Sequence, residues 1–239
     1  MSNALFITEG LRPEKQFFEG LWKTFGREVE IFPYKANIHS LIKYLFVEDR
    51  IDENIDPVQY LISIEKDPYI REKLNKKFTD VFLVFDMDMH HSGSDINKLE
   101  AMLKFFCDPA DEGKLYINYP MMESYRHFTS FNDDEFKGRT GKCSPEYKET
   151  VGNECCNELK DVKKYNEEIF RMMIGSHLKK ANYILNGAYM LPSKDEFLRW
   201  DGADILKIQY KKFQSDGSVY VLNTSIFNAV DYRPSDFLE

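Results

Sequence analysis

Residues 81–88 have the sequence VFLVFDMD, an apolar run followed directly by Asp86 and, two positions later, Asp88. Because every residue of the run is apolar, the strand that it predicts must be buried on both faces, like a central strand of a parallel sheet. Residues two apart on an extended chain share a face, so Asp86 and Asp88 leave the strand toward the same side. The pattern predicts a central strand over 81–85 with two carboxylates at its carboxyl end.

Three further short apolar runs predict strands that join it, at residues 4–8, 29–33 and 114–118. Apolar residues at helical spacing separate these runs. The charged stretch 49–77 also has helical spacing, and it predicts one or two helices inserted between strands. The alternation predicts an α/β fold with a doubly wound, mainly parallel, four-stranded, Rossmann-like sheet.

The pattern changes near residue 130. Residues 129–157 are polar and predict an irregular connector, whereas 158–186 and 194–213 have the spacing of helices. We therefore expect an α/β domain over residues 1–130 and a mostly helical C-terminal extension over 131–239.

Composition and charge narrow the classes of function. The chain has 239 residues, a net charge of −8 and 43% hydrophobic residues, so it can bury a core and lacks the basic surface of a sequence-reading DNA-binding domain. No apolar run approaches the roughly 20 residues of a membrane helix, and we expect no membrane partner. The N-terminal residues lack a secretory signal pattern, and four cysteines in a long chain without such a signal indicate reduced thiols and not a disulfide framework; both favour the cytoplasm. The sequence also lacks a P-loop, so the chain is not predicted to be an ATPase.

Acidic residues follow three of the predicted strands. Glu9 follows the first, Asp86 and Asp88 follow the central one, and Glu123 lies just beyond the fourth. Ligands bind outside the carboxyl ends of parallel strands. Carboxylate oxygens with room for water are the ligands that Mg²⁺ or Mn²⁺ prefers. The alternative for any one of these residues is a carboxylate that caps a helix, but the combination favours a metal site at Glu9, Asp86 and Asp88.

Three short motifs, one after each of three predicted strands, resemble those of a known family. Residues 9–18 (EGLRPEKQFF) follow the first strand, Asp86-Met87-Asp88 follows the central strand, and residues 119–125 (YPMMESY) follow the fourth. The set resembles the TOPRIM domain of topoisomerases, primases and OLD-type nucleases. It is more closely similar to the RloB-like TOPRIM proteins of bacterial defence loci. The resemblance covers residues 4 to about 128.

The resemblance implies metal-dependent cleavage of phosphodiester bonds in DNA or RNA. It implies that Glu9 acts as general acid/base and can also bind metal, while Asp86 and Asp88 hold Mg²⁺ or Mn²⁺. It also implies a nucleic-acid substrate, a role in phage defence and a separate ATPase partner. Second-tier site residues are Gly10, Glu14, His90 and Glu123.

Two alternatives of other classes stay open. The domain could keep this fold and work as a catalytically silent interaction module. The Asp86-x-Asp88 pair could instead bind the cation of a nucleotide-sugar transferase, which leaves Glu9-Gly10 unexplained.

Aromatic and basic residues are secondary candidates for contacting nucleic acid. The tyrosines with this prediction are Tyr116, Tyr119, Tyr125, Tyr183 and Tyr189. The C-terminal lysines favour a solvated helix surface; they are Lys160, Lys163, Lys164, Lys179 and Lys180.

Overall fold

The computed structural model describes residues 3–10, 12–26, 29–33, 38–48, 50–52, 56–87 and 95–239. Its strands are β1 Ala4–Thr8, β2 Val29–Pro33, β3 Phe46–Val47, β4 Arg50–Ile51, β5 Asp80–Asp86, β6 Cys107–Asp108, β7 Gly113–Asn118, β8 Thr140–Lys142 and β9 Ser218–Tyr220. Its α-helices are α1 Arg12–Thr24, α2 Ile38–Leu45, α3 Pro57–Ile64, α4 Pro68–Leu74, α5 Ile96–Phe105, α6 Glu146–Glu154, α7 Glu167–Asn186, α8 Lys194–Phe197, α9 Gly202–Asp216 and α10 Asn228–Tyr232.

The main sheet has the strand order β2-β1-β5-β7-β6. The strand pairs β1–β2, β1–β5 and β5–β7 are parallel, and the short edge strand β6 is antiparallel to β7. The predicted α/β class with a mainly parallel sheet is confirmed, and each of the four predicted strands lies in this sheet. The sequence pattern gives no indication of β6, because a two-residue strand has no periodicity.

The central position of β5 follows from its apolar side chains. Residues 82–85 are all buried, so the strand is covered on both faces as its sequence requires. The ring of Phe82 lies 4.8 Å from that of Phe6 on β1, and Phe6 in turn stacks on Phe18 of α1 at 4.5 Å. These aromatic contacts fix α1 against the centre of the sheet.

The charged insertion folds as predicted into two short helices, α3 and α4. Each begins with an aspartate cap followed by proline: Asp56 accepts from the amide of Val58, and Asp67 from that of Tyr69. A proline at the first helical position and a capping aspartate before it are strong helix start signals. The small antiparallel pair β3–β4 precedes them and was not predicted.

The prediction of an irregular connector over residues 129–157 is wrong. This stretch contains β8, which pairs with β9, and helix α6. Of the nine residues of α6, only Tyr147 and Val151 are buried. Two apolar residues one turn apart are too few to give a helical period, so the sequence pattern did not indicate this helix.

The predicted helix over residues 158–186 begins later than expected. Helix α7 starts at Glu167, where the side chain of Asn166 accepts from the amide of Ile169, and it ends at Gly187 with a φ of 78°. The predicted helix over 194–213 is divided into α8 and α9, because Asp201 caps a new helix by accepting from the amide of Ala203.

The C-terminal segment after β9 packs against the end of β7. The backbones of Tyr119 and Leu222 exchange two hydrogen bonds of 2.8 Å, and the hydroxyl of Thr224 donates to the carbonyl of Ile117 at 2.8 Å. Residues more than 100 positions apart are thereby joined at the carboxyl edge of the sheet. A domain boundary near residue 130 stays a prediction.

Lys180 corrects the prediction of a solvated lysine surface. Its side chain is fully buried, and its ammonium group donates to the carbonyls of Phe136 and Arg139, each at 2.7 Å. Burial holds the pKa of Lys180 well below its usual range. This lysine ties α7 to the short 3₁₀ helix Asp134–Gly138, so its role is structural.

No helix in the part of the chain that the structure describes is both long enough and apolar enough to cross a bilayer.

His177 makes the stability of the fold depend on pH. The ring is fully buried, Nδ1 accepts from the amide of Asn223 at 3.1 Å, and burial lowers the pKa to about 3. Because the unfolded-state pKa of about 6.5 is higher, the unfolded chain takes up the proton first as the pH falls. We expect this residue alone to lower the free energy of unfolding by about 1.4 kcal/mol per pH unit below about pH 6.

Urea unfolding of the wild type and of His177→Asn between pH 7 and pH 4.5 measures this contribution. Asn keeps a side-chain acceptor for the Asn223 amide but does not titrate, so its stability should fall less steeply with pH. Equal slopes for the two proteins would contradict the assignment.

Candidate functional site

Glu9 and Asp86 meet at the carboxyl edge of the sheet. Glu9 directly follows β1, Asp86 ends β5, and the two strands are parallel neighbours in which Thr8 lies opposite Val84. The amide N–H of Asp86 donates to Oε2 of Glu9 at 3.5 Å, a long hydrogen bond between residues 77 positions apart. The pairing of β1 with β5 therefore brings together the two carboxylates that the sequence placed at strand ends.

Asp86 is strongly disfavoured as an anion. Burial raises the pKa of its carboxyl well above the usual range, and the charges of Glu9, Glu123 and Glu14 raise it further, while the backbone of Met122 acts weakly in the opposite direction. The attraction of a bound cation would offset both the free-energy cost of desolvation and the repulsion between the carboxylates. The end of β5 thus carries more negative charge than the neighbouring groups of the protein neutralise.

Glu14 folds back from the first turn of α1 over Gly10. A Cβ at position 10 would lie 2.6 Å from Oε1 and 2.8 Å from Oε2 of Glu14, so glycine makes room for this carboxylate. Burial is the main cause that raises the pKa of Glu14, and the charge of Glu123 raises it further. Hydrogen bonds from the backbone amides of Glu14 and Gly10 lower it. Gly10, a second-tier residue of the sequence analysis, therefore has a spatial role beside the cluster.

One oxygen of Glu14 has no hydrogen-bond partner among the described residues. Glu14 is 9% exposed, and its Oε2 is buried without a hydrogen bond in the described structure. A buried carboxylate oxygen without a donor is costly. It is the kind of unsatisfied acceptor that a bound cation or its water would satisfy.

Glu123 completes the group from the side of β7. It lies in the 3₁₀ helix Met122–Arg126, is 6% exposed, and binds the ammonium group of Lys148 at 2.8 Å. Met121, Met122, Tyr125 and Phe128 also have the spacing of a regular helix that begins at Pro120, but that interpretation is wrong, because the chain makes only the short 3₁₀ helix here. Glu123 nevertheless reaches the edge where it was expected.

Buried hydrogen bonds hold the turn that carries Glu123. The side chain of Asn223 donates to the carbonyl of Met122 at 3.0 Å, and the amide of Ser225 donates to the side chain of Asn118 at 3.2 Å. These residues are fully buried, so the bonds are shielded from water. The C-terminal segment thus helps to position an acidic residue of the site.

Lys148 is a site residue that the sequence analysis did not predict. It lies on α6, its side chain is 60% exposed, and Glu123 raises its pKa by a hydrogen bond. The preceding residue, Tyr147, is buried and hydrogen-bonded to His127 at 2.9 Å, which fixes α6 at the edge of the cluster. The sequence did not indicate a role for Lys148, because residues 129–157 were interpreted as an irregular connector and α6 lies within them.

The structure brings together five of the seven predicted site residues, namely Gly10, Glu9, Glu14, Asp86 and Glu123. Asp88 and His90 lie outside the described residues. Within the described ranges, no group of three or more His, Cys, Asp or Glu side chains is arranged to hold a metal ion. The ligand set that the sequence predicts includes Asp88, so the described residues supply only part of it.

The tyrosines proposed for stacking on bases divide into two groups. Tyr116, Tyr119 and Tyr125 are buried in the core, so that prediction is wrong for these three. Tyr183 and Tyr189 are partly exposed and lie around the ammonium group of Lys137.

Comparisons of the chain with protein-family models, with curated proteins and with solved structures gave no match.

Asp86→Asn should stabilise the metal-free protein at pH 7. The folded-state pKa of Asp86 is raised, so its contribution to stability is full below the unfolded-state pKa of about 3.9 and is lost as the pH rises through the folded-state value. Removing this desolvated charge should increase the free energy of unfolding by about 1–3 kcal/mol.

Urea unfolding in EDTA measures the effect, with Asp195→Asn on exposed α8 as the matched control, expected to change stability by no more than about 0.5 kcal/mol. The difference between Asp86→Asn and the wild type should disappear below about pH 4, where both side chains are neutral. A destabilised Asp86→Asn protein at pH 7 would refute the electrostatic description of the site.

Proposed function

We propose that the chain is a metal-dependent phosphodiesterase of the TOPRIM type that cleaves nucleic acid. The observation that carries the proposal is the approach of Glu9 to the end of β5, where its Oε2 lies 3.5 Å from the amide nitrogen of Asp86. Strand ends that are remote in sequence and each carry a carboxylate converge at the edge where α/β proteins bind ligands. The four-stranded TOPRIM arrangement of the sheet is part of this proposal.

Two features of the described residues support Mg²⁺ or Mn²⁺ as the ion of the proposed site. The described residues offer carboxylates with raised pKa values at Asp86 and Glu14, and an unpartnered oxygen on Glu14. Glu9 and Asp86 would hold the ion together with Asp88. A divalent cation would neutralise the negative charge of these carboxylates. When bound, such an ion supplies neutralisation of the charge that develops on a phosphate.

Three residues of the protein have separate roles in the proposed reaction: proton transfer, phosphate binding and positioning. Glu9 is partly exposed and can take up or release a proton at the reacting oxygen. Lys148 is 60% exposed at the mouth of the cluster and can contact a phosphate as a point charge. Glu123 is buried and holds Lys148 in place, so it acts by positioning.

The compartment and partners are part of the same proposal. None of the four cysteines, all of which lie in the described ranges, forms a disulfide, which supports a reducing compartment such as the cytoplasm. The substrate is DNA or RNA, and a separate ATPase partner follows from the resemblance to OLD-type systems. The net charge of −8 means that binding to nucleic acid depends on the metal and on local cations such as Lys148.

Glu9→Gln should slow cleavage by about 10²–10⁴-fold, because glutamine keeps the size of the side chain but cannot transfer a proton. The assay follows plasmid DNA and structured RNA in Mg²⁺ or Mn²⁺, and EDTA should abolish cleavage. The matched control is Glu168→Gln, an exposed carboxylate in the first turn of α7, which should cleave at the wild-type rate.

Cleavage that survives Glu9→Gln unchanged would exclude this mechanism. If the wild type cleaves neither substrate with either metal, also after addition of an ATP-hydrolysing partner, the result would favour the interaction module.

A further inference from the structure

Arg126 is a cation next to Glu123 that has no role in the reaction described above. It lies in the 3₁₀ helix Met122–Arg126, three residues after Glu123. A 3₁₀ helix has three residues per turn, so side chains three positions apart eclipse one another. Arg126 therefore leaves the helix on the same face as Glu123, one turn further along.

Glu123 does not neutralise Arg126. Its carboxylate binds the ammonium group of Lys148 at 2.8 Å, whereas Arg126 forms no ion pair with any of the described residues. Two cations thus lie beside one carboxylate, and the charge of the guanidinium group has no direct partner in the described part of the chain.

The two cations are close enough to affect each other. The hydrogen bond to Glu123 is the main cause that raises the pKa of Lys148, whereas the positive charge of Arg126 lowers it. Like charges that lie close together disfavour each other's charged form. An anion bound between Arg126 and Lys148 would offset this repulsion.

The guanidinium group of Arg126 has donors available for such an anion. Its Nε is buried and has no hydrogen bond among the described residues. Nη1 and Nη2 form no hydrogen bond with these residues either, but they are open to solvent, and the residue as a whole is half-buried. Burial of Nε restricts the orientation of the planar group, so Nη1 and Nη2 are the donors that a ligand can reach.

Lys148 has unused donors as well. An ammonium group has three N–H bonds, and one of them is directed to Glu123. The side chain of Lys148 is 60% exposed, so the other two can contact a ligand from solvent.

The cation pair and the acidic residues belong to one edge of the sheet. The charges of Glu14 and Glu123 act on Asp86, and those of the same two glutamates act on Lys148. Glu14 and Glu123 are therefore common neighbours of Asp86 and Lys148. A polyanion that contacts a metal ion at Asp86 would also come close to the two cations.

We propose that Arg126 and Lys148 together bind one backbone phosphate of the nucleic acid beside the metal site. The planar guanidinium group can contact two phosphate oxygens at once, and the ammonium group adds a point charge. This inference rests on the proposed function. It adds a contact by which a chain of net charge −8 holds a polyanion.

The salt dependence of binding tests this contact without cleavage. Fluorescence anisotropy measures the affinity of the full chain for labelled single strands, oligo(dT) and oligo(U), in Mg²⁺ and in a Glu9→Gln background. Loss of one phosphate contact should reduce the slope of log affinity against log salt by about 0.7. Arg126→Gln should show this reduction with both strands and should bind about tenfold more weakly at low salt.

Three further variants separate the phosphate contact from other effects. Arg126→Lys keeps the charge but loses the planar group, so it should keep the slope and recover only part of the affinity. Lys148→Gln should reduce the slope as Arg126→Gln does. The matched control is Arg71→Gln on exposed α4, which precedes the opposite end of β5 and should leave slope and affinity unchanged.

The inference is overturned by an unchanged slope in Arg126→Gln, by an equal loss in Arg71→Gln, or by the absence of binding to either strand. If Arg126→Gln does not fold, an unchanged slope in Lys148→Gln overturns it in the same way. Failure of the proposed function gives a different result: Glu9→Gln would cleave like the wild type, while a reduced slope in Arg126→Gln would still support the phosphate contact.

Discussion

The pairing of β5 with a parallel strand on each side determines where the chemistry of this chain can lie. Because β1 and β7 run in the same direction as β5, the residues that follow all three strands emerge at one edge of the sheet. Glu9, Asp86 and the turn that contains Glu123 are therefore neighbours, although they span more than 110 positions of sequence. The hydrophobic burial of residues 82–85 supplies the driving force that holds these mutually repelling carboxylates together.

Burying several carboxylates next to one another lowers the stability of the fold, and neighbouring groups compensate for this only in part. Lys148 neutralises Glu123, and backbone amides support Glu14, but the pKa values of Asp86 and Glu14 are still raised. Groups with strongly perturbed pKa values in a cluster are typical of functional sites, where local stability is given up for activity. The C-terminal segment contributes by holding the turn after β7 through Asn223, so the residues that follow β9 support the acidic cluster.

The sequence predicted those parts of the structure whose signals are local. The four main strands and the carboxylates at their ends follow from apolar runs that stop at acidic residues, as at residues 81–86. Helix α6 escaped prediction because it buries only Tyr147 and Val151, and Lys148 was lost with it.

We propose that Glu9 and Asp86 share one divalent cation at the carboxyl edge of the sheet. A crystal soaked in Mn²⁺ and measured at the manganese absorption edge tests it most directly. The account predicts an anomalous peak within about 2.2 Å of carboxylate oxygens of Asp86 and Glu9. A peak at full occupancy elsewhere on the protein, with none between these two carboxylates, would contradict it.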